Sequence, residues 1–144
     1  MGYRLEAVVM DAGAAGFPHG LPTVALPHSL TLLPLTDEMF PGETVSSLSG
    51  SFWKLNGALE AFMMDVSRLG SVAYVEADFF GGSGTQVAAL WQVGRLVLGP
   101  ERSVGVGAIN RVLRQLGVSR TTGRDEFDEL GLGRCRRTLD WVEG

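Results

Sequence analysis

Three apolar segments in the middle of the chain are joined by very short connections. Residues 72–80, 85–93 and 96–98 are rich in β-forming residues and are separated by four and by two residues, most of them glycine. Connections this short join antiparallel neighbours, because a parallel pair needs a crossover of a dozen or more residues. The stretch therefore predicts a three-stranded antiparallel meander, which excludes a doubly wound parallel sheet.

The rest of the chain supplies further strands and the helices. Residues 3–10 and 30–35 have the composition of strands. Apolar residues at a 3.6-residue repeat predict helices over 49–69 and 104–116, each followed by a glycine, and a short helix is expected over 125–130.

These elements predict a single α+β domain over residues 1–144. Its antiparallel sheet has about five strands, and two main helices pack on one face and leave the other face open to solvent. A hydrophobic content of 45% and a charged content of 19% are enough for one buried core and argue against a disordered chain.

Glycine is in excess, with 20 residues among 144, about twice the average usage, and no Gly-X-Y period. Most of these glycines stand at the ends of predicted elements. Two groups do not have that role and mark loops where function is expected. They are Gly13, Gly16 and Gly20 in the loop over 11–27, and Gly81, Gly82 and Gly84 at a hairpin tip.

The net charge of −4 disfavours a nucleic-acid partner, because phosphate binding depends on clustered basic residues. Residues 1–100 contain four basic and nine acidic residues, a net charge of −5. An acidic surface on this part of the chain predicts a protein partner of basic character.

The segment from Tyr74 to Gln86 is the candidate binding site. In a strand, Tyr74, Glu76 and Asp78 share one face, with the two carboxylates about 6–7 Å apart. Such a pair can hold a divalent cation or divide acid and base roles, but an open, solvent-facing edge is the more frequent use. The predicted binding residues are Tyr74, Glu76, Asp78, Phe80, Gly81, Gly82, Gly84 and Gln86.

No other motif supports a catalytic residue, a metal site or a cofactor. The glycine-rich tip lacks the Gly-Lys-Ser/Thr ending of a phosphate loop and the Gly-X-Ser-X-Gly pattern of a hydrolase. His19 and His28 lie nine residues apart among prolines, a spacing unlike compact metal motifs. Cys135 is the single cysteine, so no intrachain disulfide can form.

Residues 12–36 carry no acid, lysine or arginine and are the stretch most similar to a membrane segment. Four prolines interrupt it, which excludes a continuous spanning helix. The N-terminal residues lack the pattern of a secretory signal, so a cytoplasmic location without membrane association is the expectation.

Three functional hypotheses remain. The first is a non-catalytic interaction protein, for example an immunity-type inhibitor of a basic toxin. The alternative is a small enzyme or ligand-binding protein whose pocket is closed by the 11–27 loop and uses Glu76, Asp78 and a histidine. The third is a homo-oligomer in which that loop packs against a second subunit.

Overall fold

The computed structural model describes residues 2–17, 20–35, 57–80, 83–104, 107–119, 121–135 and 137–143. The strands are β1 (Gly2–Met10), β2 (Val24–Leu26), β3 (Leu30–Pro34), β4 (Val72–Phe80), β5 (Ser83–Gln92) and β6 (Arg95–Val104). The helices are α1 (Ala12–Ala15), α2 (Gly57–Val66), α3 (Ala108–Gln115), α4 (Glu126–Glu129) and α5 (Thr138–Glu143), with a 3₁₀ turn at Leu132–Arg134. The strands form one antiparallel sheet in the order β2-β3-β1-β4-β5-β6.

The predicted α+β class, its antiparallel sheet and its meander are confirmed, but the sheet has six strands rather than five. The sixth strand is β2, which lies with α1 inside the segment predicted as a loop over 11–27. β6 extends to Val104, so α3 begins at Ala108 instead of residue 104. The part of the predicted 49–69 helix that precedes Gly57 lies outside the described residues.

The two longest helices lie on opposite faces of the sheet, so the prediction that both pack on one face is wrong. One face, called here the α3 face, buries Ala7, Val9, Ala73, Val75, Ile109, Val112 and Leu113. The other, the α2 face, buries Val8, Met10, Val72, Tyr74, Leu59, Met63 and Val66. β1 and β4 are apolar on both sides over these positions, which is the pattern of strands covered on both faces.

Gln86 of β5 joins the sheet to the start of α3. Its side-chain oxygen accepts hydrogen bonds from the backbone N–H groups of Gly107 at 3.3 Å and Ile109 at 3.1 Å. Gly107, the N-cap of α3, has no side chain to satisfy these groups. Gln86 is 1% exposed and pairs with Ala77, which places it on the α3 face, opposite Tyr74.

Asp11 fastens α1 to the turn that follows α2. Its carboxylate accepts hydrogen bonds from the N–H of Ala14 at 2.9 Å and from that of Ser71 at 2.8 Å. A Cβ on Gly13 would overlap the carbonyl of Leu69, and one on Gly70 would lie 2.6 Å from the nitrogen of Ala14. Gly13 therefore has a packing role here, because only glycine allows the two segments to approach so closely.

Candidate functional site

The residues of the predicted binding face do not form an open surface. Tyr74 and Glu76 are 0% exposed, and Asp78 alone of the three is exposed. The prediction of a solvent-facing Tyr74–Glu76–Asp78 row is therefore wrong for its first two members. Gly84 lies in β5, whereas Gly81, Gly82 and the side chain of Phe80 lie outside the described residues.

A buried polar network replaces the predicted surface. Glu76 of β4 pairs directly with Glu6 of β1, and both side chains lie in the protein interior. The hydroxyl of Tyr74 donates to Oε2 of Glu76 at 2.5 Å. Burial first, and then the charge of Glu76, its hydrogen bond and the charge of Glu6, raise the pKa of Tyr74 well above its ordinary value.

Glu6 connects this network to the C-terminal helix. Its Oε1 accepts from Nε of Arg4 at 3.1 Å, and its Oε2 accepts from the hydroxyl of Thr138 at 2.7 Å. The same hydroxyl accepts the backbone N–H of Glu6 at 2.9 Å. β3 pairs with β1 only from Ala7 onward, so Thr138 satisfies a β1 group that lies beyond the end of β3.

An open cleft of about 410 Å³ lies over this junction. It is lined by Gly2, Tyr3, Arg4, Glu6, Asp78, Phe79, Arg137 and Thr138. Within the cleft, Arg4 and Thr138 both donate to the carboxylate of Glu6. Arg137 donates to Asp140, which lies outside the lining, at 3.0 Å. The cleft lies at the joint between α5 and the sheet.

We expect Thr138→Val to lower the free energy of unfolding by about 1–2 kcal/mol, because it removes both hydrogen bonds to Glu6. Amide exchange in α5 should accelerate more than exchange in β5. Thr122→Val is the matched control, since Thr122 is exposed in a turn. Equal stability and exchange in the two variants would contradict the role assigned to Thr138.

His28 is not brought to the predicted carboxylates Glu76 and Asp78. Nε2 of His28 lies 3.7 Å from Oε2 of Glu129, and His19 lies outside the described residues. The hydroxyl of Thr121, with Arg124 and His28, lowers the pKa of Glu129. The described part of the chain contains no group of three or more histidine, cysteine or carboxylate side chains able to hold a metal ion.

A group of exposed apolar side chains lies at the β5–β6 turn. The turn patch, as we call it, consists of Met64, Leu69, Val93 and Leu96, which are 41%, 52%, 80% and 36% exposed. Hydrogen bonds hold its two halves together: Val93 N–H donates to the carbonyl of Ser67 at 2.9 Å, and Gly94 N–H donates to the hydroxyl of Ser67 at 3.1 Å.

Sequence reasoning missed this patch and most of the buried network. Val93 ends a predicted strand and Met64 lies within a predicted helix, and nothing in their local pattern places them together. The pairing of Glu6 with Glu76 depends on the register of strands 70 residues apart. The sequence signal that was available is a glutamate within the apolar part of each strand, Glu6 in β1 and Glu76 in β4.

The fold and these sites define a single-sheet α+β protein with an antiparallel sheet covered on both faces. Comparison of the chain with protein-family models, with curated proteins and with solved structures gives no match. No helix within the described ranges is long and apolar enough to cross a membrane.

Proposed function

We propose that this protein is a non-catalytic interaction protein that binds another protein through the turn patch. The observation that carries the proposal is the position of four large, exposed apolar side chains on two segments, α2 with the turn after it and the β5–β6 turn, which hydrogen bonds to Ser67 join. Scattered exposed apolar residues are ordinary, but a contiguous group is characteristic of interaction surfaces.

Two arginines accompany the patch. The side chain of Arg68 lies over the β5–β6 turn, where its Nε is 3.5 Å from the position of a Cβ on Gly94. Arg95 follows directly in β6 and is exposed. Methionine and arginine are both enriched in protein interfaces, where arginine combines a broad apolar stem with a charge that binds carboxylates.

The charges change the expected chemistry of the partner. Glu6 and Glu76 are buried and contribute no outward acidic surface, whereas Arg68 and Arg95 flank the patch with Asp65 as a nearby acid. Two exposed arginines therefore stand beside the turn patch. A partner that places apolar side chains and carboxylates against it fits better than the basic partner predicted from composition.

Self-association through the patch is less favourable than binding a different protein. A two-fold interface brings the same surface of each copy together, so Arg68 and Arg95 would lie near the same arginines of the second copy. Like charges across an interface cost free energy. Crosslinking must therefore distinguish a second copy of this chain from a different protein.

The alternative enzyme hypothesis required Glu76, Asp78 and a histidine in one pocket. Glu76 is instead hydrogen-bonded to Tyr74 in the interior, Asp78 is exposed, and His28 lies beside Glu129. The described residues do not assemble that set, which is why we favour binding over catalysis.

Site-specific photo-crosslinking in the native cell tests the proposal. A photoreactive residue at Val93 should capture a defined partner that the same residue at Thr122, in an exposed turn, does not capture. Arg68→Glu together with Arg95→Glu should weaken capture about tenfold or more, equivalent to about 1.4 kcal/mol. Arg124→Glu, on an exposed arginine beside α4, is the charge control and should leave capture unchanged.

Three results would overturn the proposal. They are no crosslinked product at Val93, an equal amount of product at Thr122, and an unchanged amount of product when Arg68→Glu and Arg95→Glu are combined. A product consisting of two copies of this chain would replace the heterologous partner with self-association. The thermal stability of each variant should be measured in parallel, because a loss of folding would also remove the partner.

A further inference from the structure

A small cavity lies on the α3 face, where the first residues of β1 and the last residues of β4 meet α4. It measures about 260 Å³ and is lined by Tyr3, Phe79, Gln86, Asp125, Phe127 and Asp128. We call it the aromatic cavity. It is on the face opposite Tyr74, so it is not the binding surface predicted from the sequence. Its volume is below the range of about 300–1,000 Å³ that holds drug-sized ligands, so a molecule bound in it is small.

The amide of Gln86 is the first reason to assign a ligand to this cavity. Gln86 is 1% exposed, and its Oε1 accepts the N–H groups of Gly107 and Ile109, which fixes the orientation of the amide. Within the described ranges its Nε2 donates no hydrogen bond. In the same part of the chain, Nε1 of Trp141 is the one buried side-chain nitrogen or oxygen that is both unpartnered and sealed from solvent. Nε2 of Gln86 is therefore open to the cavity that this residue lines, as a donor that lacks an acceptor.

Three aromatic rings form the apolar part of the wall. The ring of Tyr3 lies edge to face with that of Phe79, at a centroid distance of 6.4 Å, and with that of Phe127, at 5.8 Å. All three residues are half-buried. The hydroxyl of Tyr3 is already used, because it donates to the carbonyl of Leu132. The rings therefore offer hydrocarbon and π surface, and the face of an aromatic ring attracts cations.

Two carboxylates complete the lining, and the groups that bind them are neutral. Asp125 accepts the N–H of Asp128 at 2.9 Å and the side-chain amide of Asn110 at 3.0 Å, and Asp128 accepts the N–H of Asp125 at 3.3 Å. Arg124 donates instead to the backbone carbonyl of Asp128 and lies 3.9 Å from Glu129. No ion pair to Asp125 or Asp128 forms in the described part of the chain. Their negative charges favour a cation in the cavity.

We propose that the aromatic cavity binds a small organic ammonium with a carbonyl oxygen beside the charge, as in an amino-acid amide. The ammonium pairs with Asp125 and Asp128, the carbonyl oxygen accepts from Nε2 of Gln86, and a short apolar side chain contacts the aromatic rings. An anion would be repelled by the two carboxylates, and a cation without an acceptor would leave the Gln86 amide unpaired. The site is independent of the turn patch, which involves other residues.

Nuclear magnetic resonance of the ¹⁵N-labelled chain provides the test, with the side-chain amide signal of Gln86 as the reporter. Leucinamide is the probe. 4-Methylpentanamide keeps the amide but lacks the ammonium, and 3-methylbutylamine keeps the ammonium but lacks the amide. At pH 6 the amino group of leucinamide is protonated, because α-amino groups have a pKa of about 8. We expect leucinamide to shift the Gln86 signal saturably and to bind about tenfold more tightly than either of the other two compounds.

Asp125→Asn combined with Asp128→Asn should weaken leucinamide binding about tenfold or more, equivalent to about 1.4 kcal/mol. Asparagine keeps an oxygen acceptor at both positions and is itself a good N-cap, so α4 should be retained. Asp128→Asn alone, at an exposed residue, gives the second variant and should weaken binding in the same direction. Asp65→Asn is the matched control, since Asp65 is exposed on α2, across the sheet from the cavity.

No shift of the Gln86 signal at millimolar leucinamide overturns the site. Equal affinity for 4-methylpentanamide, or an affinity for leucinamide that is the same in Asp128→Asn as in Asp65→Asn, overturns the ammonium assignment. Equal affinity for 3-methylbutylamine overturns the role of Gln86. Leucyl-glycinamide distinguishes two sources of the same group: binding as tight as that of leucinamide supports the N-terminal residue of a peptide, and weaker binding supports a free amino compound.

Discussion

Gly84→Ala is expected to lower the free energy of unfolding by about 3 kcal/mol, the upper part of the usual range for overpacking. Gly84 of β5 stands opposite Phe79 of β4 in the sheet. A Cβ at this position would overlap the carbonyl oxygen of Asp78 and approach the Cα of Phe79 to 2.6 Å. Because both obstacles are backbone atoms, the two strands must separate to admit one methyl group.

The measurement is chemical denaturation followed by tryptophan fluorescence. Gly133→Ala is the matched control, because the nearest atom to its Cβ is Cε1 of Phe127 at 3.8 Å, an ordinary contact. We expect the control to change stability by less than about 1 kcal/mol. If the two variants unfold at the same denaturant concentration, the close approach of β4 and β5 at Gly84 is wrong.

This result would also change the meaning of the hairpin glycines. The spacing of Gly81, Gly82 and Gly84 predicted a functional loop. The close approach of β4 and β5 is by itself enough to require glycine at position 84. A binding defect of Gly84→Ala would then be interpreted through its loss of stability.

Tyr74→Phe is expected to lower the free energy of unfolding by about 2–3 kcal/mol at neutral pH. The substitution removes the donor to Oε2 of Glu76, and hydrogen bonds to charged groups are the stronger class. The shape of the ring is otherwise kept, so no large cavity adds to the loss. Tyr3→Phe should cost less, because the Tyr3 hydroxyl donates to a neutral acceptor, the carbonyl of Leu132, at 2.8 Å.

The same network predicts a dependence of stability on alkaline pH. Tyr3 and Tyr74 are the two tyrosines of the chain, and burial is the main cause that raises the pKa of each. Below about pH 10, the ordinary pKa of tyrosine, both residues are neutral in the folded and the unfolded chain. Above it the unfolded chain ionises first, so stability falls as pH rises.

Each tyrosine contributes up to about 1.4 kcal/mol per pH unit to that fall. Tyr74→Phe should therefore make the fall less steep, and the double variant with Tyr3→Phe should remove the tyrosine contribution. Ultraviolet absorbance of tyrosinate provides a second measurement, since it should appear together with unfolding. Tyrosinate in the folded protein near pH 10, or an unchanged slope in Tyr74→Phe, would contradict the buried network.

The local elements of the fold were largely predictable. The lengths of two connections predict the meander. The spacing of apolar residues along the chain predicts β1 and the described part of α2. Both are properties of residues close in the chain. β2 was not predicted, because it has only three residues, too few to show a strand pattern. The glycines and prolines around it predict a loop instead.

The candidate sites were less predictable because they depend on residues far apart in the chain. Tyr74 and Glu76 share a face as predicted, but nothing local showed that a helix covers that face. Gln86 was assigned to a binding surface and instead caps α3, more than twenty residues later. Trp141 of α5 packs in the core of the α3 face, and its neighbours there include residues of β2 far away in the chain.

The sequence alone determined the α+β class, the antiparallel meander and the order of most elements, since period and turn length are set by neighbouring residues. Tertiary structure alone decided that the two long helices cover opposite faces of the sheet. That choice buries Tyr74, because α2 packs on the face of β4 that carries it. It also leaves Met64, Leu69, Val93 and Leu96 as the exposed apolar corner where we propose that a partner binds.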